Sequence, residues 1–227
     1  MVSKSEIAAK KEEITLASHK YDHVENAKAL VILAHGAGAD MEHEYMTDLV
    51  NLMNAQQLSV LRFNFPYMDK RKIDGKRRPP DRMPKLIVCY KSILASIDSP
   101  LPIYIAGKSM GGRVAATIAS DKELMTKHQV EGVICLGYPF HPAKKPEKLR
   151  LTPLQETQLP VLILQGQRDA LGNENEISTY QLSSKCQLHF FIDGDHDLKP
   201  RVKSGYTLAE HKHSAVLKIQ GFVNAHR

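Results

Sequence analysis

The 227-residue sequence predicts an α/β fold, a mostly parallel sheet with helices on both faces. Three observations lead there. Short apolar runs alternate with segments whose apolar residues recur at helical spacing. The first strong strand-like run, residues 29–34, is apolar throughout, as strands covered on both faces are. The chain shows no internal repeat or low-complexity linker, and its length is one that a single α/β domain reaches, so residues 1–227 are read as one domain.

The elements follow in order. Ile14 and Leu16 alternate with polar neighbours and suggest an edge strand. Residues 29–34 are apolar without interruption and form the first strong strand. Asp40 is placed to cap a helix in which Met41, Tyr45, Leu49, Leu52 and Met53 recur at helical spacing. Residues 59–63 form the next strand, closed by Pro66, and a polar loop is expected up to Pro84. Pro84 suits the first position of a helix that carries the stripe Leu86, Ile87, Tyr90, Ile93, Leu94 and Ile97. Residues 103–106 are a third strand running into Gly107. Gly111, Gly112, Val114, Ala115, Ile118 and Ala119 then read as a tightly packed helix. Further strands are expected at 132–136, 161–164 and 188–192. Thr207 and Glu210 have capping-box spacing and open a final helix with Val216, Ile219 and Val223 on one side.

Composition narrows the function classes. Hydrophobic residues make up 42% and charged residues 25%, ordinary values for a globular protein. The longest apolar stretches are too short to span a bilayer. No apolar core of signal-peptide length follows Met1 to Glu6, and Cys89, Cys135 and Cys186 have neither disulfide-framework nor zinc-site spacing. A cytoplasmic location with reduced thiols and no metal or other cofactor is therefore expected. Much of the +6 net charge lies in residues 70–85, which carry Lys70, Arg71, Lys72, Lys76, Arg77, Arg78, Arg82 and Lys85. A solvated loop is the plain reading, and a patch that steers anionic substrates is the alternative. Nucleic-acid binding is disfavoured, because no aromatic residues interleave with these charges as a stacking platform requires.

The chemistry centres on Gly107-Lys108-Ser109-Met110-Gly111, a G-x-S-x-G between a strand and a helix. A sharp strand-to-helix turn crowds the backbone, so small residues must flank the serine. The turn exposes the hydroxyl and aims the next backbone N–H at a developing oxyanion. The Gly-Lys-Ser triplet is not a phosphate-binding loop, since the residue five before Gly107 is Pro102 and residues 102–106 read as strand. A serine hydroxyl needs a base and an acid that orients the base. Asp169 falls just past the strand at 161–164, and His196 just past the strand at 188–192. Asp193, Asp195 and Asp197 compete for the acid role but adjoin the base in sequence. The N–H groups of Ala37, in His35-Gly36-Ala37-Gly38, and of Met110 are the expected oxyanion donors. His35 reads as a loop organiser rather than a base.

These segments resemble the α/β-hydrolase superfamily, above all its dienelactone-hydrolase-like branch. Within that branch they resemble the family grouping a testis-expressed protein with the third regulatory subunit of a nonspecific-lethal chromatin complex. The resemblance is carried by residues 33–38, 63–67, 107–113, 136–142 and 195–197. It implies an α/β-hydrolase fold and a triad of Ser109, Asp169 and His196. Dienelactone hydrolases carry a cysteine where this chain has Ser109, so their substrate does not transfer. Only residues 137–160 separate two strands between which many relatives insert a cap, so no cap domain is expected. The site should be open, walled by residues 67–85 and 138–142, with His35, Gly36, Tyr67 and His141 as candidate substrate contacts. The expected function is an esterase, thioesterase or related acyl hydrolase acting on a small or medium ester-type substrate, with no membrane partner. The alternative is a non-catalytic interaction module on the same fold. The sequence leaves the oligomeric state open.

Overall fold

The computed structural model describes residues 17–226. Within them a seven-stranded sheet has the order β1-β3-β2-β4-β5-β6-β7. Its strands are β1 His19–Asp22, β2 Ala29–Ala34, β3 Leu58–Phe63, β4 Ile103–Lys108, β5 Val130–Leu136, β6 Val161–Gly166 and β7 Cys186–Phe191. β1 pairs with β3 antiparallel and every other pairing is parallel. Ile14 and Leu16 lie outside the described residues. The edge strand that is described, β1, has the sequence His-Lys-Tyr-Asp, with no apolar alternation to betray it.

Each buried strand splits its side chains between two cores, the consequence of period-two alternation. On one face Ile32, Phe63, Ile105, Val133 and Ile163 meet Tyr90, Ile93, Val114 and Ile118, from α3 Met83–Ala95 and α4 Met110–Ile118. On the other, Val31, Leu33, Val60, Ile134 and Leu164 meet Leu49, Met53, Val216, Ile219 and Val223, from α1 Glu44–Ala55 and α8 Leu208–Ala225. The two-faced cover explains why β2 reads as a continuous apolar run and why apolar residues dominate β3 to β6.

Two expectations about local structure are corrected. Asp40 does not cap α1. His43 does, its ring accepting from the Tyr45 N–H at 3.2 Å, while Asp40 accepts from Glu42 in the preceding turn. Residues 66–74 are not loop but a helix, α2 Pro66–Asp74. Pro66 opens it, because proline at the first helical position lacks only an N–H that would have no intrahelical partner. Five of the nine residues of this helix are Asp, Lys or Arg, and only Tyr67 and Met68 are buried, so its apolar stripe is too narrow to signal a helix. The basic segment is mainly solvated. Lys72 pairs with Glu42, Arg78 with Asp74 and Lys85 with Asp81.

Between β5 and β6 the chain forms a single four-residue helical turn, α6 Thr152–Gln155, and no cap domain. A short helix, α7 Glu174–Ile177, follows β6, and α5 Lys122–Lys127 precedes β5. Among the described residues no helix is long and apolar enough to cross a membrane.

Candidate active site

The chain runs from β2 to β3 on one side and then crosses to β4 on the other. A crevice therefore opens at the carboxyl ends of β2 and β4, where ligands collect in open α/β sheets. Ser109 follows β4 directly, with φ 52° and ψ −114°. A non-glycine residue in this region costs roughly 1–3 kcal/mol unless its surroundings fix it. They do. A Cβ on Gly107 would lie 2.2 Å from the backbone of Gly111, and one on Gly111 would lie 2.6 Å from the Ala34 carbonyl oxygen. Glycine alone lets α4 start so close to β4 and β2. The Ser109 N–H donates to Leu136 at 2.8 Å, and its carbonyl accepts from Arg113 at 3.0 Å.

Three distant segments meet at this turn. His196 Nε2 lies 2.7 Å from Ser109 Oγ, and His196 Nδ1 lies 2.7 Å from Asp169 Oδ2. With a carboxylate at Nδ1, that nitrogen carries the proton and Nε2 is free to accept from the serine hydroxyl. Asp169 is fully buried. Its other oxygen accepts from the Leu171 N–H at 2.8 Å. The competing aspartates are occupied elsewhere. Asp193 binds Arg168 and Arg201, Asp195 accepts from the N–H groups of Asp197 and Lys199, and Asp197 pairs with Lys108 at 3.0 Å.

Two supporting residues were not picked out by sequence reasoning. Gln165, fully buried on β6, places its amide nitrogen 2.8 Å from Asp169 Oδ2, 3.0 Å from the Gly172 carbonyl and 3.2 Å from the Tyr138 carbonyl. It locks the acid to two neighbouring loops. Lys108, the second residue of the motif, reaches across the elbow and donates to the His196 carbonyl oxygen at 2.8 Å. Burial pulls its ammonium below the usual lysine range, while Asp197 opposes that. The motif lysine thus holds the histidine loop. Its sequence signal was present, but the partner lies 88 residues away.

The loop after β2 is organised from beneath. His35 is fully buried. Its Nδ1–H donates to the Gly36 carbonyl at 2.6 Å, and its Nε2 accepts from the Phe65 N–H at 3.0 Å. The Tyr67 hydroxyl lies 3.3 Å from the Gly36 oxygen and donates to that of Ala37 at 3.0 Å. The Gly36 carbonyl is thereby turned inward. Across a trans peptide the following N–H points the opposite way, so the Ala37 N–H faces outward. Met110 opens α4, so its N–H lies among the donors without an intrahelical acceptor. Among the described residues neither N–H has an acceptor, and both Ala37 and Met110 line the cleft at Ser109.

A serine on a strained strand-to-helix turn of a mostly parallel sheet, with a histidine and an aspartate brought to it from after later strands, points to one family. The chain belongs to the alpha/beta hydrolase domain family, matched over residues 27–224. Among solved structures it is similar to an alpha-beta serine hydrolase homologue from Coxiella burnetii, at TM-score 0.62 and 18% identity over 90% of this chain and 88% of that one. It is also similar to Est1E from Butyrivibrio proteoclasticus, at TM-score 0.64 and 15% identity over 91% and 94%. A dienelactone hydrolase from Anabaena variabilis matches at TM-score 0.61 and 17% identity over 92% and 91%. At such identities the likeness speaks for the fold.

In this member of the family Ser109 stands between two open clefts. The larger, about 720 Å³, is lined by Gly36, Ala37, Tyr45, Lys108, His196 and Lys212 among others. The smaller, about 340 Å³, runs from Ser109 between Pro80, Asp81 and Met83 on one side and Pro139, His141 and Pro142 on the other. These are the two segments expected as walls. Of the candidate substrate contacts, Gly36 lies at the larger cleft. His35 and Tyr67, at 0% and 2% exposure, line neither cleft and support the loop from below. His141 lines the smaller cleft with its ring nitrogens 2.9 Å from the Pro142 carbonyl and 3.3 Å from Glu176. Among the described residues no group of three or more His, Cys, Asp or Glu is arranged to hold a metal ion.

Proposed function

We propose that this protein is a serine hydrolase that cleaves an ester-type bond of a small or medium substrate through an acyl-enzyme on Ser109. The observation that carries the reading is the continuous row from Ser109 Oγ through the His196 ring to Asp169, with 2.7 Å at each step. Ser109 attacks the carbonyl carbon as His196 Nε2 takes the hydroxyl proton. Asp169 stabilises the imidazolium and fixes its orientation. The N–H groups of Ala37 and Met110 receive the oxyanion, and each such donor is worth about 10²–10³ in kcat. The leaving group departs with the proton held on His196. Water, deprotonated by the same nitrogen, then opens the acyl-enzyme and regenerates Ser109.

Open clefts without a cap suit compact substrates that need no deep tunnel. The same proposal includes a cytoplasmic setting, in which the three free thiols stay reduced. It also includes the narrower grouping with the testis-expressed and chromatin-subunit family, which rests on the segments given above. A fluorophosphonate probe is expected to label the wild-type protein and to leave Ser109→Ala unlabelled. Folded wild-type protein that resists the probe and hydrolyses no ester would reject catalysis and turn the fold into an interaction scaffold.

A further inference from the structure

The smaller cleft contains a feature that ester cleavage itself does not use. Arg113 and Arg150 both line it, together with Ser109 and Met110. Both residues are half-buried. Among the described residues no hydrogen bond or ion pair engages either guanidinium, although most arginines that are withdrawn from water find an acidic partner. Asp81, the acidic residue lining this cleft, is already held by Lys85 at 3.0 Å and by the Tyr67 N–H at 3.0 Å. The two cations are near enough to interact. Burial, and then the charge of Arg113, pull the Arg150 guanidinium below its usual range.

The backbone holds both residues in place. Arg113 stands one turn into α4, its N–H donating to the Ser109 carbonyl at 3.0 Å. Arg150 is pinned from both sides. Its N–H donates to the Phe140 carbonyl at 2.7 Å, and its carbonyl accepts from the Tyr138 hydroxyl at 2.9 Å. Two partnerless guanidinium forks fixed beside a nucleophile form a receptor for a planar or tetrahedral oxyanion, because an arginine fork matches carboxylate and phosphate oxygens in pairs.

We infer that Arg113 and Arg150 form an anion subsite, so that the substrate is an ester carrying a carboxylate or a phosphate a short distance from the scissile carbonyl. This rests on the hydrolase reading and names its substrate class. It differs from long-range steering by residues 70–85, which acts before contact and is screened by salt.

The test uses matched 4-nitrophenyl and alkyl esters whose acyl or alcohol chain ends in a carboxylate, in a phosphate monoester or in a neutral methyl ester. It is run at about 0.15 M NaCl, where exposed charges are screened beyond about 8 Å. In one series, acyl or alcohol, an anionic ester is expected to exceed its neutral partner in kcat/KM by about 10–100-fold, the value of a charge-assisted contact. The better anion then identifies carboxylate or phosphate. That ratio should fall towards one in Arg113→Gln and in Arg150→Gln, and persist in the double variant Lys76→Gln/Arg77→Gln on the exposed loop. A wild-type ratio near one, or a ratio untouched by both arginine variants, overturns the subsite while leaving ester hydrolysis standing. If no ester is cleaved and the fluorophosphonate does not react, the hydrolase reading has failed by itself. Calorimetric titration with monomethyl and dimethyl glutarate and with methyl phosphate then decides the subsite. Binding of an anionic probe alone, weakened tenfold or more in Arg113→Gln, keeps it, and absent or equal binding removes it.

Discussion

His35 makes the stability of this fold sensitive to acid in a defined window. Its ring is fully buried, and burial lowers its pKa from 6.5 to about 4. The hydrogen bonds agree with that direction. Nε2 accepts the Phe65 N–H, so a proton on Nε2 would set two donors against each other. The folded-state value lies below the unfolded one, so the stabilisation is complete above pH 6.5. As pH falls towards 4 the unfolded chain binds a proton that the folded chain refuses, and stability declines by about 1.4 kcal/mol per pH unit. Between pH 7.5 and 4.5 this group alone removes RT ln[(1 + 10²)/(1 + 10⁻⁰·⁵)], or about 2.5 kcal/mol. No discount for solvent applies at a position without exposure. Urea unfolding of wild type and of His35→Gln across that range isolates the effect, since all other titrating groups are shared. The wild-type curve should fall more steeply, closing or reversing its stability advantage by about 2.5 kcal/mol at pH 4.5. Parallel curves would refute the argument that His35 is neutral in the folded protein.

Other substitutions probe the supports of the site. Lys108→Met removes the donor to the His196 carbonyl while keeping an apolar stem. Asp197 is 64% exposed at its side chain, so stability should change by less than about 1 kcal/mol. Steady-state kinetics should show kcat falling about tenfold or more with little change in KM, as expected when a general base is misplaced. An unchanged kcat would exclude the positioning role. Gln165→Leu strips Asp169 of a hydrogen bond and leaves the buried Gly172 carbonyl without its donor, while the Tyr138 carbonyl keeps the Phe140 N–H. Chemical denaturation should register a loss of roughly 2–4 kcal/mol, accompanied by a lower kcat. Tyr90 is fully buried, its hydroxyl accepting from the Ala106 N–H at 2.9 Å and lying 2.6 Å from the Ile32 carbonyl. Tyr90→Phe should therefore cost about 1–3 kcal/mol, read as a lower Tm. Gly111→Ala sets a methyl against the Ala34 carbonyl and should yield far less folded protein than Ala115→Gly, which only loosens the same helix.

The strands were legible because burial on both faces demands apolar residues, a rule that β2 obeys at every position and that β4 and β6 obey as far as Ala106 and Leu164, before the chain reaches the rim of the sheet. The turn at Ser109 was legible because the crowding at the elbow forces glycines at 107 and 111, a constraint written in adjacent letters. The meeting of Asp169 and His196 with Ser109 could be anticipated from their places after strands, since a parallel sheet gathers such residues at one rim. β1 and α2 were hidden, because an edge strand and a solvated helix bury little and so need little apolar pattern. Pairings across long loops were hidden as well. Lys108 with His196, Gln165 with Asp169 and two other loops, and Arg113 beside Arg150 are set by distances in space that residue identity does not encode locally. Sequence determined which groups reach the rim of the sheet. Tertiary packing alone decided which of them found partners and which remained free to face a ligand, because hydrogen bonding and charge pairing depend on separations of a few ångströms between segments far apart in the chain.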